Sequence, residues 1–178
     1  MIDWEGLLKF SLSHTDGTKK SEFKEMTKHD QKWLEEAMNS YCNSEIEQMQ
    51  NILKDIQTEN VLNDEEVLMV NLETLQDILD SLDRGNILYK LGGHIQLLKI
   101  IFYSKFTNCR VLSLQIFSSV NQNDAMIQTD SINTGALEIM DLIQKEKNIK
   151  VREAMMGAIS SMIRGENLEV KRIFIKNK

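Results

Sequence analysis

Apolar residues recur along this chain at three- and four-residue steps, the spacing of one helix face. The spacing predicts a short helix over residues 3–13, capped by Asp3, with Trp4, Leu7 and Leu8 on one side. A polar stretch from His14 to Lys28 follows and reads as a turn and linker. Thr27-Lys28-His29-Asp30 resembles a capping box with Asp in place of Glu, ahead of Trp33, Leu34, Ala37, Met38 and Tyr41. Ser44 is then expected to cap a second helix along Ile46, Met49, Leu53 and Ile56. Asn63 or Asp64 opens a third, with Leu68, Leu72, Leu75, Leu79 and Leu82 in one stripe.

The pattern then repeats itself. Gly93-His94-Ile95-Gln96-Leu97-Leu98-Lys99-Ile100-Ile101 lies over Gly135-Ala136-Leu137-Glu138-Ile139-Met140-Asp141-Leu142-Ile143 at a spacing of forty-two residues. The register runs on without a gap: Cys109-Arg110 falls on Val151-Arg152, and Phe117-Ser118-Ser119-Val120 on Ile159-Ser160-Ser161-Met162. The third helix aligns with these at an offset of thirty-eight, Leu79 on Phe117 and Ser81 on Ser119. A helical period in the low forties is the signature of armadillo or HEAT arrays. The expected fold is therefore all-α: an armadillo/HEAT-like right-handed helical solenoid with an N-terminal helical segment. Residues 1–43 form the arm, linker and capping helix, and 44–90, 91–133 and 134–177 form the units. Gly92-Gly93 and Gly135 open the later units, where a sharp helix-to-helix turn favours a residue without Cβ.

Such stacks present a long surface to a partner. In an armadillo unit the last helix lines the concave face, and core spacing assigns Val151, Met155, Ala158, Ile159 and Met162 inward. That leaves Gly157, Ser161 and Arg164 on the open stripe, with Gln115, Ser119 and Gln122 in the middle unit. In the first unit the stripe is Asp77, Ser81 and Arg84, ending at Gly85 and Asn86. These residues fit a protein contact or plain solvated helix faces about equally well. Armadillo proteins of the importin-alpha type hold extended peptides on a ladder of Trp and Asn. Gln115, Gly157, Ser119 and Ser161 stand at those positions, so a folded, bulky partner suits this face better.

Charge and chemistry narrow the picture further. Residues 1–90 carry nine Lys/Arg against nineteen Asp/Glu, and residues 91–178 carry twelve against eight. An acidic whole with no dense basic stripe argues against nucleic acid, and the asymmetry between halves suits a protein partner. No window is apolar enough to span a membrane, and the start lacks the basic and apolar regions of a signal peptide, so the cytoplasm is expected. Cys42 and Cys109 have no metal spacing, and Cys109, at the repeat position of Val151, reads as a small buried hydrophobe. His14, His29 and His94 lie in separate elements with no catalytic arrangement beside them, so no enzyme, metal or cofactor is expected. The acidic run Glu73, Asp77, Asp80 shares one helix face, and such runs are usually solvated.

Several segments in collinear order resemble one family. Trp4-Glu5-Gly6-Leu7-Leu8-Lys9-Phe10-Ser11-Leu12-Ser13-His14-Thr15-Asp16-Gly17-Thr18 resembles the N-terminal signature of the Fes-type armadillo nucleotide exchange factors of heat shock protein 70. Asp30 to Met38 resembles their next helix. Leu82-Asp83-Arg84-Gly85-Asn86 with Gly92-Gly93, and Gly157 to Arg164, resemble later segments. The resemblance implies a co-chaperone that grips the nucleotide-binding domain of the chaperone with its concave face and promotes ADP release. By motif match the contact positions are Asp83, Gly85, Asn86, Gln122, Asn123 and Arg164; periodicity adds Asp77, Ser81, Gln115 and Ser119. A generic armadillo scaffold for another folded protein shares the fold and the charge, and only these motifs separate the two. The family's arrays have about four repeats and three are counted here, so an uncovered apolar edge, and a dimer through it, are expected.

Overall fold

A computed structural model describes residues 27–80, 84–122, 124–164 and 168–176, apart from the side chains of residues 40–43 and 169. The expected helix over 3–13 and nearly all of the linker after it lie outside these residues. Every element among the described residues is helical: α1 (Lys28–Asp55), α2 (Glu59–Leu62), α3 (Glu65–Asp80), α4 (Gly85–Lys90), α5 (Gly93–Tyr103), α6 (Thr107–Asn121), α7 (Ala125–Asn133), α8 (Glu138–Lys145), α9 (Ile149–Ile163) and α10 (Leu168–Lys176). The chain divides into two compact units, Met1–Gln48 and Met49–Lys178.

In the first unit, the Thr27 hydroxyl accepts from the Asp30 amide at 3.2 Å and donates to the Asp30 carboxylate at 2.7 Å. That is half a capping box, because the shorter Asp side chain bonds the hydroxyl. Trp33, Leu34 and Ala37 are half-buried, whereas Met38 is exposed. No helix starts at Ser44. It sits on an exposed position inside α1, which continues unbroken to Asp55. A serine costs a helix interior only a fraction of a kcal/mol, roughly 0.5, too little to end a long helix.

The second unit shows the repeat directly. α6 and α9 are both fifteen residues long and start forty-two residues apart. α3 starts forty-two residues before α6, so its register is that of the other two and not the offset of thirty-eight. Asp64 and Asn148 cap α3 and α9 from equivalent places, each accepting two backbone N–H groups at 3.0–3.4 Å. Cys109 Sγ reaches the Glu65 carbonyl and Asn108 Nδ2 reaches the Glu65 carboxylate, joining the first turns of α3 and α6. Ser118 donates to the Gly157 carbonyl at 3.3 Å, joining α6 and α9. Bonds between near-equivalent positions mean that the three helices run parallel, with α6 packed between α3 and α9. α4, α7 and α10 pack in the same order.

Two hydrophobic clusters meet at α5 and α6. Leu97, Ile100, Cys109, Leu112 and Ile116 pack with Leu68, Leu72 and Leu75, together with Met49, Ile52, Leu53 and Ile56 at the end of α1. Leu98, Ile101, Leu114 and Phe117 pack with Ile139, Val151, Met155, Ala158 and Met162. A helix apolar on two faces is buried on two sides. Each cluster thus joins one helical layer to the next.

Glycines set the turns. Gly92 (φ 72°) and Gly135 (φ 96°) occupy the left-handed region that L side chains avoid, at the turns before α5 and α8. Gly93 serves by closeness instead: a Cβ there would lie 2.3 Å from Leu88 Cδ1.

Candidate docking site

The ends of α3 and α6 and the starts of α4 and α7 enclose an open concavity of about 180 Å³. Leu79, Val120 and Ile127 supply its apolar lining; Arg84, Asn86, Ser119, Gln122 and Asp124 supply the polar groups, with Gly85 between them. Local rules build each part. α6 stops at Asn121 because Gln122 turns extended (φ −70°, ψ 120°). Asp124 then caps α7, its carboxylate accepting from the amides of Met126 (2.9 Å) and Ile127 (3.0 Å). On the facing side a Cβ at Gly85 would stand 2.9 Å from Val120 Cγ1 and 3.4 Å from Ile127 Cδ1. Only glycine leaves both α4 close to α6 and the concavity open.

Behind this lining is a buried polar network. Tyr89 and Ser131 share a hydroxyl–hydroxyl hydrogen bond. Asn121 donates to Tyr89 at 3.1 Å and to the Phe117 carbonyl at 2.8 Å, and its own carbonyl accepts from Ser131 at 2.7 Å. Gln128 Nε2 points at three backbone carbonyls, those of Asn121 (3.1 Å), Ser161 (3.0 Å) and Arg164 (2.8 Å). It thereby ties α7 to the ends of α6 and α9, whose last carbonyls have no partner within their own helices. Burial pushes the Tyr89 hydroxyl up to about 12, against its bonds from Ser131 and Asn121. His94 stacks on Tyr89 with ring centroids 4.1 Å apart, and burial holds it below its ordinary value. A second brace holds the start of α9. Arg110 Nε donates to the Ile101 carbonyl, and its guanidinium meets Glu146 at 2.7 Å. The Glu146 carboxyl lies below its usual range, chiefly because the Asn148 amide donates to it, and also through Arg110.

Of the ten expected contact positions, Gly85, Asn86, Ser119 and Gln122 come together around the concavity. Asp77, Gln115 and Arg164 are exposed on α3, on α6 and at the end of α9, away from it. Ser81, Asp83 and Asn123 lie outside the described residues. Ser161, placed on the open stripe by its spacing, turns inward. It is 6% exposed and its hydroxyl bonds the Ala158 carbonyl. Arg84 is also withdrawn, at 8% exposure.

Sequence reasoning did not single out Leu79, Val120, Asp124 and Ile127 as site residues. Asp124, an Asp just ahead of an apolar helical run, carried a cap signal. No group of three or more metal-ligating side chains occurs among the described residues, and none of their helices is long and apolar enough to cross a membrane. Cys109 is fully buried, and burial raises its thiol to about 11, so it packs as the valine at the equivalent position does.

The geometry defines an all-α protein that joins neighbouring helical layers at a forty-two-residue spacing and opens a polar concavity between them. Residues 4–88 match the family model for the nucleotide exchange factor Fes1. Asp77, Ser81, Asp83, Gly85 and Asn86 fall inside the match; Gln115, Ser119, Gln122, Asn123 and Arg164 fall beyond it. Neither a curated protein nor a solved structure matches the chain.

Proposed function

We propose that this protein is a cytoplasmic co-chaperone that promotes ADP release from heat shock protein 70. In this reading it binds the chaperone's nucleotide-binding domain with an armadillo-like concave face formed by α3, α6 and α9. The observation that carries the reading is the family match over residues 4–88, supported by the convergence of Gly85, Asn86, Ser119 and Gln122 on one concavity. A right-handed stack of such units is the arrangement that the parallel α3, α6 and α9 suit best.

Exchange requires only that the factor bind the open, nucleotide-poor chaperone better than the closed one. ADP and the factor then weaken each other by the same ratio, and a coupling of about 1–3 kcal/mol changes ADP affinity roughly five- to 150-fold. No covalent step is needed. The concavity takes a protruding side chain or loop of the partner: its amides and hydroxyl select orientation, and its apolar lining excludes water. Asp77, Gln115 and Arg164, with Ser81, Asp83 and Asn123, are proposed as the surrounding contacts, Arg164 as a forked donor to a carboxylate.

The test is release of a fluorescent ADP analogue from heat shock protein 70, with and without this chain. Acceleration that Gly85→Arg abolishes and Arg164→Ala weakens is the expected result. Tight binding without acceleration, or no binding at all, overturns the exchange reading and leaves a scaffold for another folded protein.

A further inference from the structure

The forty-two-residue spacing pairs the open concavity with a second place in the same chain. α3, α6 and α9 start at Glu65, Thr107 and Ile149, so Leu79, Ser119 and Gln122 in the concavity correspond to Asn121, Ser161 and Arg164. Gln122 and Arg164 also leave their helices alike, in extended backbone with ψ 120° and 142°. The second place is closed by this chain itself. Gln128 fills it at 2% exposure, with Nε2 2.8–3.1 Å from the carbonyls of Asn121, Ser161 and Arg164.

The first place has the equivalent carbonyls and stays open. They belong to Leu79 in the last turn of α3, where helix carbonyls lack partners in their own helix, and to Ser119 and Gln122 at the end of α6. The Ser119 carbonyl accepts the Gln122 amide at 3.2 Å, and its second lone pair can take another donor. The counterpart of Gln128 is Asn86, one methylene shorter and exposed. The counterpart of Ile127 is Gly85, which adds no side chain. Ser119 is exposed, whereas Ser161 in the filled place is 6% exposed.

We propose that the partner supplies here what Gln128 supplies one period on: a carboxamide side chain, of glutamine or asparagine, that donates its amide hydrogens to the carbonyls of Leu79, Ser119 and Gln122. The proposal deepens the docking reading above and rests on it. Three features select a neutral amide. Carbonyls only accept, so the occupant must donate. The two charged groups of the lining, Arg84 and Asp124, are opposite in sign, which favours a neutral end group over a guanidinium or a carboxylate. Leu79, Val120 and Ile127 receive the apolar stem. Docking shields these carbonyls from water, so an occupant that leaves them unpaired is strongly rejected.

Asn86→Gln tests this in the full chain by supplying the missing methylene. Its amide is expected to reach the three carbonyls and raise the melting temperature by about 2–4 °C, the shift of one net hydrogen bond in a chain of this size. Asn86→Glu has the same shape but only accepts at neutral pH, and is expected to melt at or below the wild type. A concavity filled from within excludes the partner's amide. Asn86→Gln is therefore expected to bind the nucleotide-binding domain of heat shock protein 70 at least about ten-fold more weakly than the wild type in calorimetry. Asn86→Gln melting no higher than Asn86→Glu overturns the inference. So does equal binding of that domain by Asn86→Gln and the wild type, an outcome that leaves the exchange reading standing. A wild type that does not bind the domain overturns the exchange reading instead, and the two melting temperatures still decide whether the concavity is a donor site.

Discussion

Gln128→Met is the sharpest perturbation of the layer behind the concavity. Gln128 is 2% exposed, and one amide nitrogen serves the carbonyls of Asn121, Ser161 and Arg164. Methionine keeps the length and apolar stem of the side chain but donates nothing. Arg164 is exposed, so its carbonyl finds water. Asn121 is fully buried and Ser161 is 6% exposed, so two acceptors are left dry. A buried acceptor without a partner costs about 1–3 kcal/mol. Because two hydrogens are shared among three carbonyls, the lower part of that range applies, giving about 2–4 kcal/mol in all. At roughly 2–4 °C per kcal/mol for a chain of this size, the melting temperature falls by about 5–15 °C. Urea unfolding followed by circular dichroism reads the loss. Gln128→Glu is worse at neutral pH, since its carboxylate faces the same three oxygens. If Gln128→Met lies within about 0.5 kcal/mol of wild type, the amide does not brace the ends of α6 and α9 and the reasoning fails.

The titratable groups add predictions whose signs follow from their burial. Native His94 stays neutral below its ordinary 6.5 while the unfolded chain takes up a proton there. Glu146 keeps its charge below its ordinary 4.5. Stability from both is therefore complete above those values and is lost as pH falls through the folded ones, and Glu146→Gln removes the lower part of that slope in pH-dependent melts. Tyr89 acts at the other end. The unfolded chain ionises at 10 and the native at about 12, so stability falls over that window by about 1.4 kcal/mol per pH unit, and a flat alkaline profile rules out the buried hydroxyl. Removing the Arg110 guanidinium leaves Glu146, 11% exposed, without its charge partner; Arg110→Ala is expected to cost about 3 kcal/mol in urea unfolding, against under about 1 for Lys32→Ala in the exposed pair with Glu36. Gly93→Ala puts a methyl 2.3 Å from Leu88 Cδ1 and 3.0 Å from Leu53 Cδ2, an overpacking worth about 1–3 kcal/mol, whereas Gly85→Ala presses only on the Val120 and Ile127 side chains and acts more on ADP release than on melting.

What could be read from the chain, and what could not, divides along one physical line. Residues that repeat with the period betray their place: α6 and α9 agree in length and register, and Gly92 and Gly135 stand at the turns that need them. Positions set by contact between layers do not. Ser119 and Ser161 share a repeat position, yet the first is exposed and the second is buried, with its carbonyl accepting from Gln128. Tyr89, Asn121 and Ser131 are polar, yet all three are interior. One signal was present and went unused, since Tyr89 and Ser131 are forty-two residues apart and are bonded. A polar pair separated by one full period, on two helices of too few turns for a clear stripe, is what a hydrogen bond between neighbouring layers looks like in sequence.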